Sequence, residues 1–288
     1  MRRFVDLHTH STASDGATAP AEVICIAEAK RLAAVALTDH DTVSGLAEAR
    51  AAAAEFPSLR FVPGIEVSAR PPSGTLHILG LGIDETAPAL LGLADFLRNA
   101  RDERNPRIVA KLQGLGIGVD MDDVRAAAAA CGGQGKIIGR MHIAQVLRQK
   151  GHVGTIAEAF ERYIGRGAAA YVERLRLTPR RTIASIRDAG GLAVLAHPAQ
   201  LNCENRAQLE RIIRELVRAG IEAVEIYHSD HTPQQTRLYL EIATRLGLGA
   251  AGGSDFHGAA KPGTVIGRPK VPLAALGEKL VARLIGAR

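Results

Sequence analysis

The sequence predicts an α/β fold, a closed or nearly closed barrel of seven parallel strands with a small helical insertion. Three observations lead there. Short apolar runs alternate with helix-patterned stretches along most of the chain, histidines and acids gather at the ends of those runs, and residues 100–170 break the rhythm. Strands alternating with helices imply parallel strands joined by right-handed crossovers.

The strands are read, in order, from "FVDLHTH", "VALTDHD", "RFVPGIEVS", "HILGLGI", "GGLAVLAHP", "IEAVEIYHS" and "GLGAAGGSDFH". Between the first two, "APAEVICIAEAKRLA" begins a helix after Pro20, with apolar residues at helical spacing that place Cys25 in the core. "LERIIRELVRAG" is a second clear helix, ahead of the sixth strand. In the interrupting stretch "RNPRIVAKLQGLG", "MDDVRAAAAACG" and "MHIAQVLRQKG" read as helices separated by glycines, and the run Ala126–Ala130 favours helix. The barrel is therefore assigned to residues 1–99 and 171–288, and the helical insertion, a lid or substrate-binding unit, to residues 100–170.

Composition narrows the chemistry. The 288 residues are 47% hydrophobic, enough for one large domain with a modest insert. No run of about 18 uncharged apolar residues is present to span a membrane. "MRRFVDLHTH" has too short an apolar run for a secretory signal, which makes a cytoplasmic location the expectation. Cys25, Cys131 and Cys203 are odd in number and far apart, so any metal must be held by imidazole and carboxylate. A net charge of +6 favours anionic ligands such as phosphate esters, while 3% aromatics and no tryptophan leave few platforms for coating single strands. Nothing in the sequence indicates a protein partner.

Six of the ten histidines, His8, His10, His40, His77, His197 and His257, lie at or near strand ends, joined by Asp15, Glu66 and Asp255. The C-terminal ends of parallel barrel strands converge on one face, where residues remote in sequence meet. His77 is the exception in placement, because it begins its strand. Residues i and i+2 of a strand share a face, so His8 and His10 can reach one ion. Nine N/O ligands exceed one coordination sphere and point to two or three divalent ions, Mn, Fe or Zn. Such ions clamp a phosphoryl oxygen and generate a nucleophile from bridging water. His228 and His231 read as supporting, substrate-contacting or structural groups, Asp39 and Asp41 as turn or capping residues, and His142 and His152, taken singly, as surface or capping residues.

The motifs "DLHTHSTASDG", "ALTDHDT", "GIEVS", "VLAHP" and "GGSDFH" resemble those of the PHP (polymerase and histidinol phosphatase) family of metal-dependent phosphoesterases. The resemblance covers residues 4–85 and 182–268. It implies a distorted seven-stranded barrel and a trinuclear centre, usually with manganese, iron or zinc. His8, His10, Glu66 and Asp255 would hold one ion, Glu66 would bridge to a second held by His77 and His197, and Asp15, His40 and His257 would hold the third. The insertion, with "IGRMHIAQVL" and "AFERYIGRG", resembles a branch acting on nucleoside 3′,5′-bisphosphates that also includes 5′-to-3′ exoribonucleases. That implies a bridging hydroxide that releases the 3′-phosphate of a small nucleotide, with short RNA as a further substrate. The second phosphate would be read by Lys136, Arg140, His142 and Arg176. Branch members often carry a lysine just before "AYV"; here Ala168–Ala170 stand there, leaving Arg166 or Arg174 as replacements. Asp255, His197 and His231 are the catalytic candidates, with a metal-bound water as the other source of the leaving-group proton. A histidinol phosphate phosphatase and a non-catalytic metal-binding domain are the competing readings.

Overall fold

The computed structural model describes residues 2–130 and 137–286. Eight strands form one sheet: β1 (Phe4–Asp6), β2 (Ala34–Leu37), β3 (Arg60–Ala69), β4 (Leu76–Leu81), β5 (Leu192–Leu195), β6 (Ala223–His228), β7 (Gly249–Gly253) and β8 (Val271–Pro272). Their spatial order is β7-β6-β5-β4-β3-β2-β1-β8. Past the strand ends the sheet curls onto itself. The Leu7 N–H donates to the Gly252 carbonyl (3.1 Å), Asp255 N–H to His8 (2.9 Å) and His10 N–H to Phe256 (2.8 Å), which nearly closes the barrel at its C-terminal rim.

The strands are not all parallel. β4 runs antiparallel to both β3 and β5, and β8 antiparallel to β1. Residues 70–75, "RPPSGT", are all that join β3 to β4, and a parallel crossover needs about a dozen residues or more. The reversal explains His77. The start of an antiparallel strand lies at the same rim as the ends of its neighbours, so a residue that looked misplaced stands with the others.

Ten helices accompany the strands among the described residues: α1 (Pro20–Ala29), α2 (Leu46–Ala54), α3 (Pro88–Gly114), α4 (Met121–Ala130), α5 (Arg140–Gln149), α6 (Ile156–Ala159), α7 (Pro179–Asp188), α8 (Arg206–Ala219), α9 (Pro233–Arg245) and α10 (Gly277–Leu284). The barrel interior is filled by Val5, Leu7, Ala34, Ala36, Leu79, Leu81 and Val194, with Leu280 and Leu284 of α10 packed against them. Strand alternation continues that interior face upward: Leu81 and Leu79 lead to His77, Val62 leads to Glu66, and Ala223 leads to Glu225. A larger apolar layer lies between sheet and outer helices. Cys25 corrects one expectation: α1 buries Pro20, Val23, Ile24 and Ala27, and Cys25 faces outward.

Residues 108–172 contribute a separate apolar cluster, including Ile108, Leu112, Val124, Ile143, Leu147 and Ile164. The helix α3 belongs to both cores, because its Leu90, Leu93 and Leu97 pack on the barrel while Ile108, Val109 and Leu112 enter the second cluster. It runs unbroken through residues 99 and 100, where the sequence suggested a boundary, and carries Pro106 within it.

Candidate metal centre

At the rim four side chains point at one another. His8 Nε2 lies 3.1 Å from His10 Nε2, 3.3 Å from Glu66 Oε2 and 3.4 Å from Asp255 Oδ1. His10 Nε2 lies 3.1 Å from Glu66 Oε2 and 3.3 Å from Asp255 Oδ1. The point between four atoms spaced this way is about 2 Å from each, the length of a zinc-type bond to imidazole nitrogen or carboxylate oxygen. Two imidazole nitrogens facing across 3.1 Å have no mutual hydrogen bond when both are lone pairs, and a cation resolves that conflict.

Glu66 is used on both sides. Its Oε1 lies 2.8 Å from His77 Nδ1 and 2.8 Å from His197 Nε2, and its Oε2 lies 2.9 Å from His40 Nδ1. Asp15 forms the outer edge, 3.4 Å from His257 Nε2 and 4.0 Å from His40 Nε2. All nine sequence-selected ligand candidates are thus assembled. His10, Asp15, His40 and His257 make one group able to hold an ion, and His8, His10, Glu66 and Asp255 another. Glu66 Oε2, although buried, makes no hydrogen bond, nor do the Nδ1 atoms of His10, His40 and His197.

Electrostatics fit the same donor set. Burial would push Asp15, Glu66 and Asp255 up, but the surrounding imidazoles hold all three well below the ordinary carboxylate range. Against burial, the carboxylates raise His8 and His257 and lift His40 to about 9. Burial wins at His77, which is pushed down to about 4. Asp255 and His197 also carry positive φ angles, 52° and 22°, so the fold holds uncommon backbone at two rim positions.

Glu225 is a residue that sequence reasoning missed. It is fully buried, lies 3.1 Å from His8 Nδ1, and accepts from the His197 N–H at 2.8 Å. It thereby fixes the His8 ring with Nε2 toward the ligand group, as carboxylates behind metal-binding histidines do. Burial raises it, and His8 and His228 bring it down to about 2. The signal was an acid in the apolar run "IEAVEIYHS". Lys261 was missed as well; its Nζ donates to Asp255 Oδ2 at 2.8 Å and to Asp230 at 3.1 Å.

Beside His40 and His77 a cavity of about 170 Å³ is lined by Arg101, Arg104, Arg140, Arg174 and Arg176. Buried Asp41 answers two of them, its Oδ2 accepting from Arg101 Nε (3.0 Å) and Arg174 Nη1 (2.9 Å). Asp41 was expected to cap a turn; its Oδ1 does accept from the Ser68 N–H, but the carboxylate also ties α3 and the 171–178 segment to the rim. Arg104 is only 4% exposed, and its hydrogen bonds go to Asn105 Oδ1. Burial, then Arg101, Arg174, Arg140 and Arg176, press it down to about 8, the signature of an uncompensated cation. Sequence reasoning did not select Arg104, because one arginine in an arginine-rich helix carries no signal.

The other candidates divide. Arg140 and Arg176 line the cavity, whereas His142 is buried and is not part of its lining, its Nδ1 accepting from the Gly139 N–H at the start of α5. Lys136 lies outside the described residues. Arg166 lines a neighbouring chamber. His231 stands apart from the ligand groups: its Nδ1 bonds the Ile226 carbonyl (3.0 Å) and its ring lies 5.1 Å from that of His228. A wider cleft, about 1090 Å³, opens among Arg2, Arg3, Lys30 and Arg60 at the strands' opposite ends and holds no such ligand group among the described residues. No described helix is long and apolar enough to cross a membrane.

A 3′,5′-nucleoside bisphosphate phosphatase of Chromobacterium violaceum is 38% identical over 91% of this chain and 90% of its own. A 5′-3′ exoribonuclease of Haemophilus influenzae is 34% identical over 89% of this chain and 91% of its own. The solved structure of an amidohydrolase from Chromobacterium violaceum with bound sulfate superposes with a TM-score of 0.86 at 36% identity, covering 97% of this chain and 96% of that one. The PHP domain family model matches residues 6–245, and with the rim histidines and acids it spans, the chain belongs to the PHP domain family.

Proposed function

We propose that this chain is a metal-dependent phosphoesterase that removes the 3′-phosphate from nucleoside 3′,5′-bisphosphates, leaving the nucleoside 5′-monophosphate. The observation that carries the reading is the juxtaposition of two unlike sites: a carboxylate–imidazole cluster suited to cations, and a buried arginine cavity opening onto it. The similarity to a 3′,5′-nucleoside bisphosphate phosphatase supports it. The His8, His10, Glu66 and Asp255 group, the Glu66, His77 and His197 group, and the Asp15, His40 and His257 group would hold up to three ions, manganese by preference over iron or zinc. Bound there, the ions would polarise a phosphoryl group and supply a nucleophile from water at neutral pH.

The chain's own groups do the rest. Arg104, Arg140 and Arg176 would grip the second phosphate, with charge-assisted bonds that a monophosphate cannot recruit. Asp41 orients Arg101 and Arg174 toward the same cavity. Residues 100–170 would serve as the lid presenting Arg101, Arg104 and Arg140, with Arg174 and Arg176 supplied from the segment that follows it. His231, pushed down to about 4, is a neutral ring with Nε2 unbonded, and Lys261 is the nearer cation to Asp255. A cytoplasmic location belongs to the same proposal. Removal of 5′ nucleotides from short RNA is a second activity of the same chemistry, favoured by the likeness to a 5′-3′ exoribonuclease.

The test offers manganese-loaded protein adenosine 3′,5′-bisphosphate, adenosine monophosphates, histidinol phosphate and 5′-phosphorylated RNA oligomers, with phosphate and nucleotide products quantified. Preference for the bisphosphate by about 100-fold over either monophosphate is expected from the loss of one phosphate's charge-assisted contacts. Histidinol phosphate as the best substrate would overturn the reading.

A further inference from the structure

The cleft of about 1090 Å³ at the opposite ends of the strands takes no part in the chemistry proposed at the rim. It is built where β1 and β3 begin and where α1 and α2 end. Six cations line it, Arg2, Arg3, Lys30, Arg31, Arg50 and Arg60, and no described carboxylate does. Glu28 answers Arg2 (2.6 Å) and Glu85 answers Arg50 (2.6 Å) from outside the lining. The other four make no ion pair among the described residues, so four of the six charges stand unanswered. The C-terminal ends of two helices favour cations here, but each carries only about half an elementary charge, and most of the surplus remains.

Arg31 shows that the charge is held against a local preference. It follows the α1 cap with a φ of 55°, the left-handed conformation in which glycine usually ends a helix. Its N–H donates to the Glu28 carbonyl at 2.7 Å, which fixes the backbone there. Lys30 beside it already serves the helix dipole, so the dipole does not call for a second cation in an uncommon conformation. The rest of the lining does not suit a compact ligand. Phe4 and Phe61 are covered by cations, with Lys270 5.4 Å from the Phe4 ring centre and Arg50 5.8 Å from that of Phe61. Ser58 is the one neutral polar side chain described in the lining. Small ligands take buried, converging polar groups, whereas five of these six cations are exposed on long, flexible stems.

We infer that this cleft is a second, non-catalytic groove for the sugar–phosphate backbone of single-stranded RNA, holding the strand away from the 5′ end processed at the rim. The inference deepens the proposed RNA activity and rests on it for the choice of strand. Phe4 and His8 are four residues apart on one extended run, which sets groove and metal group about 13 Å apart through the barrel. A dinucleotide at the rim stays clear of the groove, and a longer strand passes around the barrel to it. Contacts to phosphates alone give affinity without reading sequence.

Arg3→Gln, Lys30→Gln and Arg31→Gly are combined in one variant. The three side chains are exposed and form no ion pair among the described residues, and glycine suits the backbone at position 31, so Tm should hold. Binding of a fluorescein-labelled RNA of about 12 nucleotides to chelated protein is followed by anisotropy between about 50 and 200 mM salt. Loss of three phosphate contacts should flatten the slope of log K against log salt by about 2 and weaken binding at the lower salt by at least about 10-fold. Turnover of adenosine 3′,5′-bisphosphate and affinity for a dinucleotide should keep their wild-type values. Equal slopes and affinities, or an equal loss on the bisphosphate, overturn the groove. Adenosine triphosphate tests for a small polyphosphate: binding tighter than that of the RNA, and lost in the variant, would reject the strand. RNA held through the groove by a loaded wild type that hydrolyses no nucleotide would sink the proposed function and leave the groove standing. An active enzyme whose variant binds RNA as the wild type does would do the reverse.

Discussion

Two charged clusters share one rim and solve opposite problems. In the histidine–carboxylate cluster the surrounding imidazoles hold Asp15, Glu66 and Asp255 well below the ordinary carboxylate range, so that buried carboxylate and imidazole lone pairs crowd one another in excess. In the arginine cavity, Arg101, Arg104, Arg140, Arg174 and Arg176 face buried Asp41 and the exposed Glu173, a surplus of positive charge. The first surplus is of donors that want a cation, and the second is of cations that want an anion. Groups that pack happily with one another need no ligand; here each cluster is incomplete, and each is incomplete in the sense that a phosphate ester with divalent ions would complete.

The comparison breaks first at Glu66, the carboxylate that touches both sides of the cluster. Glu66→Gln should reduce kcat/KM on the bisphosphate about 1000-fold, the equivalent of several kcal/mol of lost metal assistance, and lower the bound-metal count by elemental analysis. A variant that keeps its metal and most of its activity would show that Glu66 is structural.

Arg104→Met probes the other cluster. About 10- to 100-fold should be lost on adenosine 3′,5′-bisphosphate and little on a monophosphate, since one charged hydrogen-bonding group is removed. The same change should raise Tm, because an unpaired buried cation is replaced by an apolar chain of similar length. Lost activity with lowered Tm would mean that Arg104 supports the fold rather than the ligand. Arg140→Ala should show the same substrate split without the gain in Tm, since Arg140 also holds the Ile164 carbonyl.

Glu225→Gln separates support from ligation. Competition with a fluorescent chelator should show metal affinity weakened by about 10- to 100-fold, with the rim still assembled. No change would make Glu225 a packing residue.

The smallest effect is one of pH. Burial pushes His231 down to about 4, below its unfolded value near 6.5. The unfolded chain therefore holds the extra proton between those values. The contribution of the neutral ring is complete above pH 6.5 and is lost as pH falls to 4, by up to about 3 kcal/mol. Denaturation at pH 7 and pH 4.5 should show a smaller acid loss for His231→Phe, which keeps the aromatic contact with Tyr239 (ring centres 4.8 Å apart) but cannot titrate. Identical losses would place the acid sensitivity elsewhere on the rim.

Legibility followed the backbone. A β-strand gives its side chains a fixed two-residue alternation and ends where its hydrogen-bonded run ends, so histidines and acids following apolar runs could be placed together without knowing any distance. Glu225 had the same visibility, an acid inside an apolar strand, and was passed over because it does not end its run. His77 was gathered with the strand-end histidines but stood on the wrong end of its strand until the short "RPPSGT" connection proved to reverse the chain. The arginines had no comparable marker. Arg101 and Arg104 come from α3, Arg140 from the start of α5, and Arg174 and Arg176 from an extended segment, and on each element they look like ordinary solvated charges.

By itself the sequence determined the α/β barrel, the rim on which its chemistry gathers and the nine side chains of the candidate metal centre. Those follow from local periodicity and from residue types that are rare in apolar strands. Tertiary structure alone decided the direction of β4, the support of His8 by Glu225, and the burial of Arg104 among other guanidiniums. Each of these depends on which distant segments pack together, and burial, unlike periodicity, is a property that no single segment carries.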